Sequence, residues 1–135
     1  MAQEASQSSS TRYCFVVRHG ERADHAPETK AQYQGHPDAY LTPKGHDQAA
    51  VAGSWIKDEL AKITTAEGRP FDSVTIRCSP FQRCMSTSGK IAEALDINAI
   101  DIDYDYCEWV ASCLYQENPI PHLSLRNTDM AQLKT

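Results

Sequence analysis

The chain has 135 residues, 41% of them hydrophobic, and a formal charge of -5 at neutral pH. That size suits one domain with its own core, and the acidic balance speaks against a protein that grips a nucleic-acid backbone. No apolar run is long enough to span a bilayer. The Gln/Ser-rich start, residues 1–11, reads as a disordered tail and not as a secretory signal, so a cytoplasmic domain is expected over residues 12–135.

Five cysteines occur, Cys14, Cys78, Cys84, Cys107 and Cys113. The odd count and the lack of any C-x-x-C argue against a disulfide framework or a structural zinc. Reduced thiols are the expectation.

Residues 12–18 (RYCFVVR) form a short, nearly continuous apolar run. Such a run predicts a strand buried on both faces of a parallel sheet. Residues 21–40 are polar and punctuated by Pro27, Gly35 and Pro37, which predicts a long loop. Thr42-Pro43 is a helix start, with Thr at the N-cap and Pro in the first turn. Ala49, Ala52, Ile56, Leu60 and Ile63 follow as one apolar stripe. Gly68 and Pro70 end that helix, and residues 71–78 (FDSVTIRC) predict a second strand.

Ser79-Pro80 repeats the helix-start signal, and Phe81, Met85, Ser88, Ala92 and Leu95 outline an inner face. Ile100, Ile102, Tyr104 and Tyr106 alternate with Asp101, Asp103 and Asp105, which predicts a strand with one wet face. No other ligand set accompanies these aspartates, so a solvated face is expected and not a metal site. Beyond Trp109 the pattern fades, and Pro119 and Pro121 mark a loop. The alternation of strands and helices predicts an α/β domain with a largely parallel sheet.

Ligands of open α/β sheets gather beyond the carboxyl ends of the strands. There the first strand runs into Arg18-His19-Gly20-Glu21-Arg22 and the second into Cys78-Ser79-Pro80-Phe81-Gln82-Arg83. A neutral imidazole can attack phosphorus, and flanking arginines can hold phosphoryl oxygens. The same five residues also suit a solvated polar loop. Arg83 falls in the first turn of a helix, where a cation is disfavoured by roughly 0.3–1 kcal/mol unless an anion shares that end. Glu108 is a candidate proton donor if an apolar setting keeps it protonated, and otherwise a surface glutamate. His25, His36, His46 and His122 read as surface histidines.

Three blocks together resemble the histidine phosphatase superfamily, which includes the phosphoglycerate mutases. They are FVVRHGER (15–22), LTPKGHDQA (41–49) and CSPFQRCMST (78–87). The RHGER form and the Glu108-Trp109 pair are most similar to the phosphatase domain of the ubiquitin-associated/SH3 suppressors of T-cell signalling. The resemblance covers about residues 13–114. It implies a three-layer, phosphoglycerate mutase-like α/β sandwich. His19 is then the nucleophile, Glu108 the proton donor, and Arg18, Arg22 and Arg83 the phosphate pocket, with no metal or other cofactor. The reaction implied is hydrolysis of a phosphomonoester on a small molecule or a phosphoprotein. A phosphoglycerate mutase is the alternative enzyme, and a pseudo-phosphatase that binds phosphorylated ligands is the non-enzymatic one. The family's second, late histidine in an H-G or H-A context has no match, so a C-terminally incomplete domain is expected. A third alternative is that this length does not fold alone, since an exposed sheet edge where the absent strand belongs promotes association or aggregation; a homodimer is the protein partner considered.

Overall fold

The computed structural model describes residues 11–33, 36–109, 118 and 123. A short helix α1 (Lys30–Tyr33) interrupts the loop expected over 21–40. The long helix α2 (Pro43–Glu67) follows. Strand β1 (Arg77–Cys78), helix α3 (Gln82–Leu95) and strand β2 (Asp101–Ile102) form a β-α-β unit, closed by a 3-10 turn (Tyr104–Tyr106). No helix among the described residues is long and apolar enough to cross a membrane.

Helix α2 begins where the sequence predicts. Thr42 is extended (φ -73°, ψ 165°) and its side chain accepts the N–H of Gly45, with Pro43 in the first turn. That arrangement satisfies one of the orphan donors at a helix start. The helix ends at Gly68, whose φ of 68° lies in the left-handed region and whose N–H reaches the Thr65 carbonyl. Of the predicted stripe, Ala49 and Ile56 are buried, while Ala52, Leu60 and Ile63 are half-buried.

Helix α3 departs from the prediction at its start. Ser79-Pro80 is not the cap; Phe81 occupies that position and makes no side-chain cap bond. The missing acceptor comes from far along the chain, because the Asp38 carboxylate takes the Gln82 N–H at 2.8 Å. Phe81, Met85 and Ala92 are buried as expected, while Ser88 and Leu95 are half-buried.

Strands β1 and β2 pair in parallel, with Arg77 opposite Asp101 and Cys78 opposite Ile102. The ladder continues through Asp101 N–H to the Ile76 carbonyl (2.9 Å) and Asp103 N–H to the Cys78 carbonyl (2.8 Å). Cys78 and Met85 centre a small core against Cys84, Ile100 and Ile102. The period-two pattern of residues 100–106 therefore holds only at its start. The Asp103 side chain accepts the Asp105 N–H at 3.0 Å and turns the chain, leaving Tyr104 and Tyr106 exposed. Asp101 and Asp105 lie on the wet side and Asp103 is half-buried.

The strand predicted over residues 12–18 does not form among the described residues. Its side chains instead lean on α2. The Phe15 ring meets Trp55 edge-on at 6.1 Å, and the Tyr13 hydroxyl donates to Glu67. Val16 is 95% exposed. An apolar run folds as a doubly buried strand only when layers cover both faces, and here one face is open. The residues ahead of β1 are likewise mostly exposed and unpaired in a sheet. The described sheet thus has two strands, and the wider sheet and third layer expected from the sequence are not formed within it. Cys14 is exposed, Cys78 buried, and Cys84 and Cys107 half-buried, all as free thiols. Burial pushes the Cys78 thiol up to about 12, which makes it inert. The expectations for residues 1–10, Cys113, Pro119, Pro121 and His122 fall outside the described residues.

Candidate active site

The loop carrying His19 is fixed before any side chain reaches into the site. An antiparallel bridge joins Arg22 to Leu41. Thr42 N–H donates to the Glu21 carbonyl and Ala23 N–H to the Tyr40 carbonyl, both at 2.9 Å. The side chain of Glu21 is then drawn onto the start of α2. It accepts from the Thr42 hydroxyl at 2.8 Å and from the Lys44 ammonium at 3.0 Å. Gln48, one turn further along α2, accepts the Glu21 N–H at 2.9 Å.

Gly20 and Gly45 make this approach possible. A Cβ on Gly20 would lie 2.2 Å from the Gly45 carbonyl oxygen, and one on Gly45 would lie 2.4 Å from the Glu21 carbonyl oxygen. Two backbones touch there, so neither position has room for a side chain. Thr42, Gly45 and Gln48, the fixed positions of the second sequence block, all hold the His19 loop.

The ring of His19 is half-buried. Its Nδ1 lies 2.8 Å from the carbonyl oxygen of Gly20. A carbonyl oxygen only accepts, so Nδ1 carries the hydrogen and Nε2 keeps its lone pair. Burial lowers the imidazole pKa. The Gly20 carbonyl opposes this, and the nearby charges of Arg83, Arg22 and Arg18 lower it further. The outcome is a neutral ring, oriented by its own backbone, in the field of three guanidinium groups.

The three arginines differ in their surroundings. Arg18 is exposed. Arg22 lies against Asp24 in a two-pronged ion pair, with Nε to Oδ1 at 2.8 Å and Nη2 to Oδ2 at 2.5 Å. On Asp24, burial raises the carboxyl pKa, but the Arg22 bond and charge outweigh it and hold the group below its ordinary value. Arg83 is the buried one, with a side chain 3% exposed. It sits in the first turn of α3, with its guanidinium 4.1 Å above the Phe81 ring. Its Nη2 donates to Glu108 at 2.7 Å. Its Nε and Nη1 are buried and have no hydrogen-bond partner among the described residues. Two unsatisfied charged donors at a helix N-terminus mark a position suited to an oxyanion.

Glu108 is therefore next to Arg83, though not in the apolar setting expected for it. Its side chain is 42% exposed and ion-paired. The chain carries it there directly from the 3-10 turn that ends β2.

Sequence reasoning gave no role to Asp38 and Thr87, two of the buried polar residues. Asp38, Thr42, Arg83, Ser86 and Thr87 are the buried polar residues of the protein's described part. The Thr87 hydroxyl accepts the Gly20 N–H at 3.2 Å and donates to the Arg83 carbonyl at 2.8 Å. Thr87 closes the third sequence block, so a signal for it existed. Asp38 lies in a polar turn that offers none. His25 and His36 are exposed, and His46 sits in the first turns of α2, its pKa lowered by burial and by the Lys90 charge. Among the described residues no group of three or more His, Cys, Asp or Glu could hold a metal ion.

Comparison with known families matches residues 14–114 to the profile of the histidine phosphatase superfamily (branch 1). Comparison with curated proteins and with solved structures gives no significant match.

Proposed function

The chain belongs to the histidine phosphatase superfamily, and from that premise we propose that it is a phosphomonoester phosphatase working through a phosphohistidine. One observation carries the reading: the neutral His19 ring, held by Gly20, in the field of Arg83, Arg22 and Arg18.

In the proposed reaction the Nε2 lone pair of His19 attacks phosphorus while the bond to the leaving oxygen breaks. The leaving oxygen takes a proton from Glu108. Water, deprotonated by the resulting Glu108 carboxylate, then attacks the phosphohistidine and releases orthophosphate, returning His19 neutral and Glu108 protonated. Arg83, with two donors left over, and Arg18 and Arg22 bind the phosphoryl oxygens and offset the charge that builds up in the transition state. The family fold implied is the phosphoglycerate mutase-like sandwich. The compartment proposed is the cytoplasm, and the substrate a phosphorylated small molecule or phosphoprotein.

The experiment is to mix the protein with labelled aryl phosphate in the absence of added metal, quench in base, and map the label. Acid-labile label on His19, absent in His19→Ala, is the expected result. Undiminished turnover in His19→Ala removes the mechanism. A mutase would turn over phosphoglycerate in preference to aryl phosphate. A binding protein would hold orthophosphate and never become labelled.

A further inference from the structure

We propose that Thr87 is a positioning residue for the reaction, fastening the loop that carries His19 to the helical turn that carries Arg83. The inference rests on the reading of His19 as nucleophile and adds a residue to that site.

A hydroxyl can donate one hydrogen bond and accept others at the same moment. Thr87 uses both capacities. Its oxygen accepts the N–H of Gly20, the residue directly after the nucleophile, and its hydrogen goes to the carbonyl of Arg83, one turn back in α3. The residue is 4% exposed, so water does not compete for either bond. Within a helix, a threonine bonded to the carbonyl four residues back normally has an idle oxygen. Here that oxygen spans 67 positions of sequence to the one loop on which the chemistry depends.

The opposite side of the loop is already blocked. Gly20 lies against the Gly45 backbone so closely that no Cβ fits between them. The His19 backbone is thus clamped between α2, through Gly45, Gln48 and Thr42, and α3, through Thr87. The α2 contacts set where the loop lies, and Thr87 sets its separation from Arg83. A nucleophile displaced by about 1 Å from its target costs on the order of a hundredfold in rate. The His19 ring that this loop carries is half-buried. The groups that bear on its titration are Arg18, Arg22 and the Gly20 carbonyl on its own loop, and Arg83 on α3.

The test compares Thr87→Val, which keeps the shape and loses the hydroxyl, with Thr87→Ser, which keeps the hydroxyl. The His19 imidazole is followed by NMR titration, assigned with His19→Gln, and aryl phosphate turnover and orthophosphate binding are measured beside it. In Thr87→Val the loosened ring gains water, so it titrates at higher pH, and kcat falls by about tenfold or more with a smaller change in KM. Thr87→Ser returns both to the wild-type values. Should Thr87→Val fail to fold, Thr87→Ala removes the hydroxyl without the added methyl and enters the same comparison. An unmoved His19 titration in the folded hydroxyl-less variant overturns the proposal, as does a Thr87→Ser that behaves like Thr87→Val. A wild-type protein that neither binds orthophosphate nor turns over the ester defeats the nucleophile reading instead, and the titration still judges Thr87.

Discussion

Replacing Arg83 by methionine should separate stability from binding. The side chain is buried, yet its only hydrogen bond among the described residues is the one from Nη2 to Glu108, and Nε and Nη1 remain without partners. Replacing both members of a buried ion pair by apolar residues is often neutral or stabilising, whereas removing one member costs about 3–5 kcal/mol when the charge left behind stays buried. The Glu108 carboxylate left behind is 42% exposed and can be hydrated again, so it adds little cost. Loss of the contact over the Phe81 ring removes roughly 0.5–2 kcal/mol in the other direction. The folding stability of Arg83→Met should therefore stay close to wild type or rise slightly. Binding should behave in the opposite way. Two charge-assisted bonds to a phosphoryl oxygen contribute roughly 1.5–3 kcal/mol each after exchange with water, and at the lower end their loss costs about 3 kcal/mol, about a hundredfold in affinity. At orthophosphate one hundred times the wild-type Kd, ligand stabilises the wild type by about 2.7 kcal/mol and the variant by only about 0.4 kcal/mol. Denaturant unfolding with and without orthophosphate measures both quantities. A variant that keeps the ligand-induced gain, or that is several kcal/mol less stable without ligand, refutes the reasoning.

Three other outcomes follow from the same contacts. The folded His19 pKa lies below its ordinary value, so between those two pH values the unfolded chain binds more protons and stability falls as pH falls; His19→Gln should flatten that limb in pH-dependent unfolding, and the acid limb of kcat/KM should lie below histidine's usual range. Thr42→Ala loses the bonds from the Gly45 N–H and to the Glu21 carboxylate, and urea unfolding should show a loss of about 1–2 kcal/mol. Gly45→Ala reverses a general rule: alanine in a helix is ordinarily favoured over glycine by about 1 kcal/mol, but the new Cβ would meet the Glu21 carbonyl at 2.4 Å. Overpacking should cost at least about 2 kcal/mol in the same assay, with weakened orthophosphate binding.

Much of the local structure was legible because it depends on neighbours in sequence. Thr42-Pro43 starts α2 and Gly68 ends it through bonds that reach three residues or fewer. The arginine of the third block falls in the first turn of α3, as spacing required. The three motif blocks also pointed to the family, and the second and third hold residues that touch the loop formed by the first. Strands were less legible. The apolar run at 12–18 has the composition of a doubly buried strand, but a strand exists only where a partner and covering layers stand beside it, and Val16 faces solvent. The alternation at 100–106 stopped after Ile102 because the Asp103 side chain competed for the backbone. The tertiary structure alone decided which polar residues are buried and what they hold. Asp38 caps a helix 44 positions away, and Thr87 bonds to a glycine 67 positions away. A hydrogen bond between such distant residues follows from chain topology, and no local pattern encodes it.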